Sequence, residues 1–331
     1  MKRLAVIILN WNGIDLLKRF LPQAAADTID SDTDLIVADN GSEDGSAEWV
    51  ERNCPEVKVI RFAENHGFAG GYNRAVEATR YEYTLLLNSD VETTPGWTRP
   101  LLAFMDSNPQ AGACQPKILS WHHRDTFEYA GAAGGYIDRN GYPYCRGRIF
   151  TDIEKDLGQY DGEPALVAWV SGAAMMARTA FYLEAGGLDT DFFAHQEEID
   201  LCLRMAGMGH PVYAVPDSKV YHIGGASLAQ GSPKKTYLNF RNNLLLLHKN
   251  LPRRISRPLL IRRRLLDTLA FGMYCAKFDF RNAAAILRAH RDFRRMRPNY
   301  TSLPARDYLS SLPGSRRDIL KEHYLHLKPK K

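Results

Sequence analysis

The first 120 residues alternate short apolar runs with longer two-sided stretches. The runs are "LAVIIL" (4–9), "DLIVAD" (34–39), "VKVIRF" (57–62) and "YTLLLN" (83–88). Between them lie "GIDLLKRFLPQAA", "GSAEWVERN" and "GGYNRAVEATR", each polar on one side and each opened by a Gly, Asn or Ser turn signal. This alternation predicts a parallel sheet covered by helices, in the order βαβαβαβ. From about 110 to 170 the pattern loosens into Gly- and Tyr-rich segments such as "YAGAAGGYIDRNGYPYCRGR", which predict hairpins and long loops over the sheet. It recovers at "ALVAWVSGAAMMARTAFYLEAGGLD", read as strand, loop, strand and short helix. "HQEEIDLCLRMAGMG" then reads as a helix closed by Gly207 and Gly209, and "PVYAVPDSKVYHIGG" as a strand ending at His222. After about residue 237 basic amphipathic helices take over.

In open α/β sheets ligands bind outside the carboxyl ends of the strands. The residues just past each run therefore carry the candidate chemistry: Asn10 to Gly13, Asp39 to Ser42, Asn65 to Asn73, and Asn88 to Asp90. Turn formation explains part of their Asn, Asp, Ser and Gly content. A carboxylate in two of the four leans toward a site. Asp90 is the sharpest case, because an ionised carboxylate at the mouth of an apolar core requires a partner; a metal ion would be one.

Composition narrows the class. A chain of 331 residues with 45% hydrophobic and 24% charged residues is globular and long enough for one large domain with an appendage. Cys54, Cys114, Cys145, Cys202 and Cys275 are odd in number and form no CxxC pair, which argues against a disulfide framework or a zinc cage and favours a reducing compartment. "LAVIIL" is short for a signal peptide and is followed at once by Asn10, so it is expected to be a buried strand.

Each candidate has a bland alternative. Asp39 in "VADNGSEDGS" either accepts the imide N–H of a uracil or thymine base, or is incidental to a turn capped by Ser42 or Asp44. The glycines of "NHGFAGGYNRA" allow close backbone approach to a ligand or form a tight turn; their spacing is not GxGxxG, which demotes hydride transfer. In "EEIDLCLR", Asp200 and Arg204 fall at i and i+4 and predict a structural pair. Glu197 and Glu198 either begin a solvated helix or, shielded by Phe192 and Phe193, supply a carboxyl of raised pKa suited to a general base. His222 gains weight as a ligand only beside Asp90.

In this order, "VIILNWNG", "VADNGSEDGS", "NHGFAGGYNRA", "LLLNSDV", "FFAHQEEIDLCLR" and "VYHIGGAS" resemble the successive motifs of family 2 glycosyltransferases, especially the bacterial rhamnosyltransferase-like branch. The likeness covers roughly residues 3 to 250. It implies a GT-A type nucleotide-diphospho-sugar transferase fold: a mixed, mainly parallel central sheet flanked by helices, with a basic helical extension from 251 to 331. The catalytic domain, 1–250, is expected to divide into a nucleotide-binding half to about 120 and an acceptor half beyond it.

The resemblance also implies roles. Asp39 would contact the base, with Asn10, Asn12, Asn40, Ser42, Asn65, Gly67, Gly70, Gly71, Asn73 and Asn88 lining the nucleotide. Asp90, the last position of a DxD-like motif in which Asn88 replaces the first Asp, would hold a divalent cation, Mn²⁺ or Mg²⁺, together with His222. Glu198 would be the base beside Glu197, and Trp169 and His195 would meet the acceptor. The expected reaction is inverting transfer, with a sugar such as rhamnose passing from a nucleoside diphosphate donor to a lipid-linked bacterial surface glycan. A sugar nucleotidyltransferase is the rival enzyme; "NWNGIDLLKR" offers no basic Gly-rich phosphate loop for it. A catalytically silent membrane-associated scaffold is the other alternative.

The basic tail completes the expectation. "LLDTLAFGMYCA" (265–276) is too short to span a bilayer and is interrupted by Asp267. Arg262 to Arg264, with Ile286, Phe293 and Met296 on a second basic helix, predict either an interfacial anchor for an anionic membrane or a helical cover for the catalytic domain. The protein is expected at the inner face of the cytoplasmic membrane, with no nucleic-acid partner.

Overall fold

A computed structural model describes residues 2–224, 231–300 and 309–325. The Gly225 to Ser227 end of the "VYHIGGAS" motif and parts of the C-terminal tail lie outside the described residues. The first half contains β1 (Leu4–Asn10), α1 (Ile14–Thr28), β2 (Thr33–Asp39), α2 (Ser46–Asn53), β3 (Lys58–Arg61), α3 (Gly67–Thr79), β4 (Tyr83–Leu87), β5 (Val91–Glu92), α4 (Thr98–Ser107) and β6 (Ala113–Ser120). Four short strands follow: β7 (Gly135–Ile137), β8 (Pro143–Cys145), β9 (Arg148–Ile149) and β10 (Asp152–Ile153). Then come β11 (Ala165–Val167), β12 (Ala174–Arg178), α5 (Thr179–Glu184), α6 (Glu197–Gly207) and β13 (Val212–His222). The chain continues with α7 (Pro233–Asn250), α8 (Arg253–Ala276), α9 (Phe280–Met296) and α10 (Ile319–Tyr324).

The main sheet runs β11-β13-β6-β12-β4-β1-β2-β3, with β5 beside β13. β1 pairs in parallel with β2 and β4, and β6 with β13, while β12 runs antiparallel between β4 and β6. It is the mixed, mainly parallel sheet the resemblance implied. The runs of β1, β2 and β4 are buried on both faces, whereas the edge strand β3 is partly exposed. Leu4, Val6 and Ile8 enter the layer containing Leu17 and Leu21 of α1, whereas Ala5 and Ile7 face Tyr72, Ala75 and Val76 of α3. β7 to β10 form a separate four-stranded antiparallel sheet, the hairpins predicted for that region.

Register puts the candidate residues on one rim. Asn10 pairs with Asp39, Ile8 with Leu87 just before Asn88, and His222 with Val91 just after Asp90.

The helical tail departs from the expectation in two ways. Asp267 does not merely interrupt an apolar stretch. It is buried, with Arg263 Nη2 at 3.0 Å and His290 Nε2 at 2.9 Å, and Arg263 lies over the Tyr142 ring at 3.7 Å and donates to Asn243. These contacts bind α8 to α7, α9 and the small sheet. Ile286 and Phe293 are buried in the packing between α9 and its neighbours rather than presented outward, because α9 turns its apolar face toward α7. Among the described residues no helix is long and apolar enough to cross a membrane.

Candidate active site

The loops after β1 and β2 lock each other. Asn10 Nδ2 donates to Ser46 Oγ (2.8 Å), Ser42 Oγ (3.1 Å) and Asp39 Oδ1 (3.3 Å). Asp39 Oδ2 accepts from the Ser42 N–H, Ser42 Oγ accepts from the Asn12 N–H at 3.0 Å, and Asn12 Oδ1 accepts from the Glu43 N–H at 2.8 Å. Asp44 takes the Ile14 N–H and so caps α1 from the neighbouring loop. The turn reading of Asp39 is therefore part of the geometry, and its carboxylate retains acceptor capacity for a ligand N–H.

A second brace holds the glycine segment. Asn40 Oδ1 accepts from the His66 N–H at 3.0 Å, and its Nδ2 donates to Asn65 Oδ1 (2.9 Å) and the Gly67 carbonyl (3.1 Å). α3 begins at Gly67 itself. At Gly71 a Cβ would lie 2.7 Å from Leu9 Cδ1 and 3.1 Å from Asn40 Nδ2, so a larger residue would push on both side chains; Gly70 has His66 and Thr190 against it. Asn73 is placed differently from the others. Its amide is taken up by the Leu188 N–H and carbonyl (both 2.8 Å) and the Tyr182 hydroxyl (2.6 Å), so it braces α3 against the 182–188 segment.

Asp90 and His222 are buried side by side, with Oδ1 and Nε2 3.1 Å apart. Asn88 Nδ2 lies 3.5 Å from the same nitrogen. Burial, the largest single influence, raises the Asp90 pKa, but the His222 hydrogen bond and charge together with the backbone N–H groups of Asp90 and Gly224 outweigh it and hold the carboxylate below its usual range. For His222 burial lowers the pKa, and Asp90 with Glu128 reverses this, to about 10. Glu128 Oε2 is 3.5 Å from Nδ1, which makes no hydrogen bond. Among the described residues no three His, Cys, Asp or Glu side chains converge as a metal cage. A hard oxygen beside an imidazole nitrogen nevertheless fits a divalent cation of the Mg²⁺ or Mn²⁺ type whose remaining positions come from ligand oxygens. Glu128, buried behind His222, was not singled out by the sequence pattern, since its neighbours "TFEYAG" suggest only a loop.

The segment before α6 is built under strain. Phe193, His195 and Gln196 have φ of 65°, 67° and 71°, a region side chains seldom enter. α7 holds them there. Asn242 Nδ2 lies 2.7–2.9 Å from the carbonyls of Phe192, Ala194 and His195, and Arg241 Nη2 donates to those of Asp191 and Phe192. Four buried polar atoms in this segment have no partner among the described residues: His195 Nε2, Gln196 Oε1, Glu197 Oε2 and Glu198 Oε2. Desolvation raises Glu198 to about 7, against the opposing pull of N–H groups in the helix's first turn. Glu197 is raised well above its ordinary value, by burial and then by Glu198. Burial, then repulsion from Lys235, drops His195 to about 4, so its imidazole is neutral. Phe193 is exposed and does not shield the pair as expected; the Glu198 stem lies instead by Gly172 and, beyond it, Phe68. The Asn88 N–H donates to the Ala173 carbonyl at 3.0 Å, joining this side to the Asp90 rim.

Trp169 is not at the surface of this site. It is buried, its indole N–H donates to the Tyr136 carbonyl at 3.0 Å, and Gly135 packs flat on its ring. Asp200 and Arg204 pair at 2.8 Å as expected, and Lys249 and Asn250 join them to anchor α6 to α7.

A doubly covered, mixed, mainly parallel sheet with its polar residues gathered on one rim is the GT-A type fold of the solved structures it resembles. Three comparisons agree with it. Residues 5–150 match the model of glycosyl transferase family 2. The chain is 26% identical over 237 residues, 66% of its own length and 75% of the relative's, to an N-acetylglucosaminyl-diphospho-decaprenol L-rhamnosyltransferase of Mycobacterium tuberculosis. Among solved structures it resembles S. aureus TarS 1-349 in complex with UDP-GlcNAc, with a TM-score of 0.60 at 15% identity over 88% of this chain and 80% of that one. It also resembles GalNAc-T7 with UDP, GalNAc and Mn²⁺, with a TM-score of 0.56 at 17% identity, covering 75% of this chain but only about half (48%) of that one. Over residues 5–150, a little under half of its length, the chain matches the family 2 glycosyltransferases, and it is rhamnosyltransferase-like over 66% of its length.

Proposed function

We propose that the chain is an inverting, divalent-cation-dependent glycosyltransferase. It moves rhamnose or a related sugar from a uracil or thymine nucleoside diphosphate to a hydroxyl of a lipid-linked surface glycan precursor. The acceptor follows the relative named for a diphospho-decaprenol substrate. The observation that carries the mechanism is the set of buried polar atoms at residues 195–198 that have no partner among the described residues, with the Glu198 stem beside Gly172, whose neighbour Ala173 accepts from the Asn88 N–H.

Glu198 is the general base. A carboxyl held at about 7 is largely ionised just above neutrality and still basic enough to take a hydroxyl proton. Glu197, raised by burial and then by Glu198, is the carboxyl we assign to hold a proton and donate a hydrogen bond to the acceptor. As the acceptor oxygen bonds to the sugar's anomeric carbon, its proton passes to Glu198 and the bond to the diphosphate breaks, the electron pair leaving with the phosphate. Asp39 accepts the base imide N–H, and neutral His195 orients the acceptor. Asp90 and His222 would hold the cation, which when bound supplies counter-charge for the leaving diphosphate. On this reading residues 1–250 are the catalytic unit, 251–331 an extension, and the protein works at the inner face of the cytoplasmic membrane.

The test is product analysis with Mn²⁺, a panel of nucleotide sugars and a polyprenyl-diphosphate-linked acceptor. The expected products are free nucleoside diphosphate and a glycan of inverted anomeric configuration. Retained configuration, or release of pyrophosphate, would contradict the proposal.

A further inference from the structure

α8 buries Ser256, Arg263 and Asp267 and leaves Ile261, Leu265, Leu269 and Met273 exposed, at 64%, 66%, 66% and 48%. Each is four residues from the next, so they form one stripe along the helix. At the turn into α9, Phe278 is 82% exposed and Phe280 61% exposed, with their rings 6.3 Å apart. Phe278 has a φ of 57°, an unfavourable conformation for a bulky residue, and its ring is spent on no core. Lys277 and Arg281 bracket the two phenylalanines, and Arg254, Arg257 and Arg264 on α8 are exposed beside the stripe. Residues 253–297 hold thirteen Lys and Arg against three Asp.

We propose that this hairpin docks on an anionic lipid bilayer, with Phe278 and Phe280 entering the headgroup–acyl boundary and α8 lying along it. Charge selects this occupant over a second copy of the chain. Self-association through the stripe would bring two arginine-rich surfaces together, whereas anionic headgroups neutralise them. With no helix among the described residues able to span, the hairpin lies on the bilayer rather than across it. The inference gives the peripheral attachment proposed above a surface, and it is independent of the catalytic chemistry.

Flotation of the full chain with neutral phosphatidylcholine vesicles, and with vesicles carrying about 30 mol% phosphatidylglycerol, tests it. Partitioning should favour the anionic vesicles by about tenfold or more and collapse at high salt. The double variant Phe278→Glu/Phe280→Glu should lose that binding while keeping its turnover on a water-soluble acceptor. Equal binding to both vesicle types, or wild-type binding by the double variant, overturns the proposal. So does a wild-type dimer that Leu265→Asp converts to a monomer, which would make the stripe a self-association face. If vesicle binding holds while no sugar nucleotide is turned over, the surface stands and the catalytic reading falls.

Discussion

Two polar segments border the same rim and are built in opposite ways. Around Asn10, Asp39, Asn40 and Ser42 nearly every polar group answers another, so the loops after β1 and β2 form a closed hydrogen-bonded frame. At residues 195–198 the backbone is clamped by α7 while four side-chain atoms are left buried and unanswered. A satisfied frame is a scaffold, and it stabilises the fold with or without a ligand. Buried groups left open are costly, and that cost is offset when a substrate hydroxyl arrives. On the proposed reading, this difference assigns shape to the donor side and proton chemistry to the acceptor side.

The comparison can be broken at its strongest point first. Glu198→Gln preserves shape but cannot take a proton, so turnover should fall on the order of 10² to 10⁴-fold with donor affinity nearly unchanged, as read by steady-state kinetics and donor titration. Normal turnover in Glu198→Gln with loss in Glu197→Gln would move the base by one residue. Asp90→Ala should also remove most activity, but through weaker nucleoside diphosphate binding, and His222→Ala should do the same to a smaller degree; calorimetric titration separates this signature from that of Glu198.

Removing a clamp rather than a reacting group should act on both rate and stability. Asn242→Ala frees three carbonyls and relaxes the strained segment; kcat should drop roughly tenfold or more, with about 1–3 kcal/mol lost in denaturant unfolding. Asp267→Ala, far from the rim, leaves Arg263 buried and unpaired. It should cost roughly 3–5 kcal/mol in unfolding free energy while kcat stays within about twofold. A large kcat effect from Asp267→Ala would blur the distinction between site and scaffold. Asn40→Ala, inside the closed frame, should cost about 1–3 kcal/mol and raise donor KM more than it lowers kcat.

The parts of the fold that were legible in the sequence are those where burial is complete and apolar. β1, β2 and β4 declare themselves because both faces are covered. β6, equally central, does not, because Gln115, Pro116 and Lys117 sit in its middle. Besides the adjacent Pro116 carbonyl, the Gln115 amide is answered by the carbonyls of Gly131 and Ala132, and Lys117 by Asp156 and Asp161, partners 16 to 44 residues away that no local pattern displays. Arg263 and Asp267 looked like surface charge for the same reason. At the rim, the order of the motifs located Asn10, Asp39, Asp90, Glu198 and His222 on neighbouring elements. It could not separate residues facing a ligand from those, such as Asn73 and Trp169, whose polar atoms are consumed by the fold. Nor could it foresee the positive φ of Phe193, His195 and Gln196, which Asn242 on a distant helix helps to hold.

The pH dependence of kcat tests the central claim most directly. Glu198 must be ionised to act, and burial holds it at about 7 rather than 4.5. The sign is fixed: the folded state keeps a proton that the unfolded chain releases between those values, so this group's contribution to stability declines as pH rises through that window, while activity increases. With Mn²⁺ and donor saturating, kcat in the wild type should fall tenfold per pH unit below about 7 and level off above it, and the residual rate of Glu198→Gln should lack that titration. A wild-type kcat that is flat from about pH 5 to 8, or the same titration persisting in Glu198→Gln, would contradict the assignment of the base.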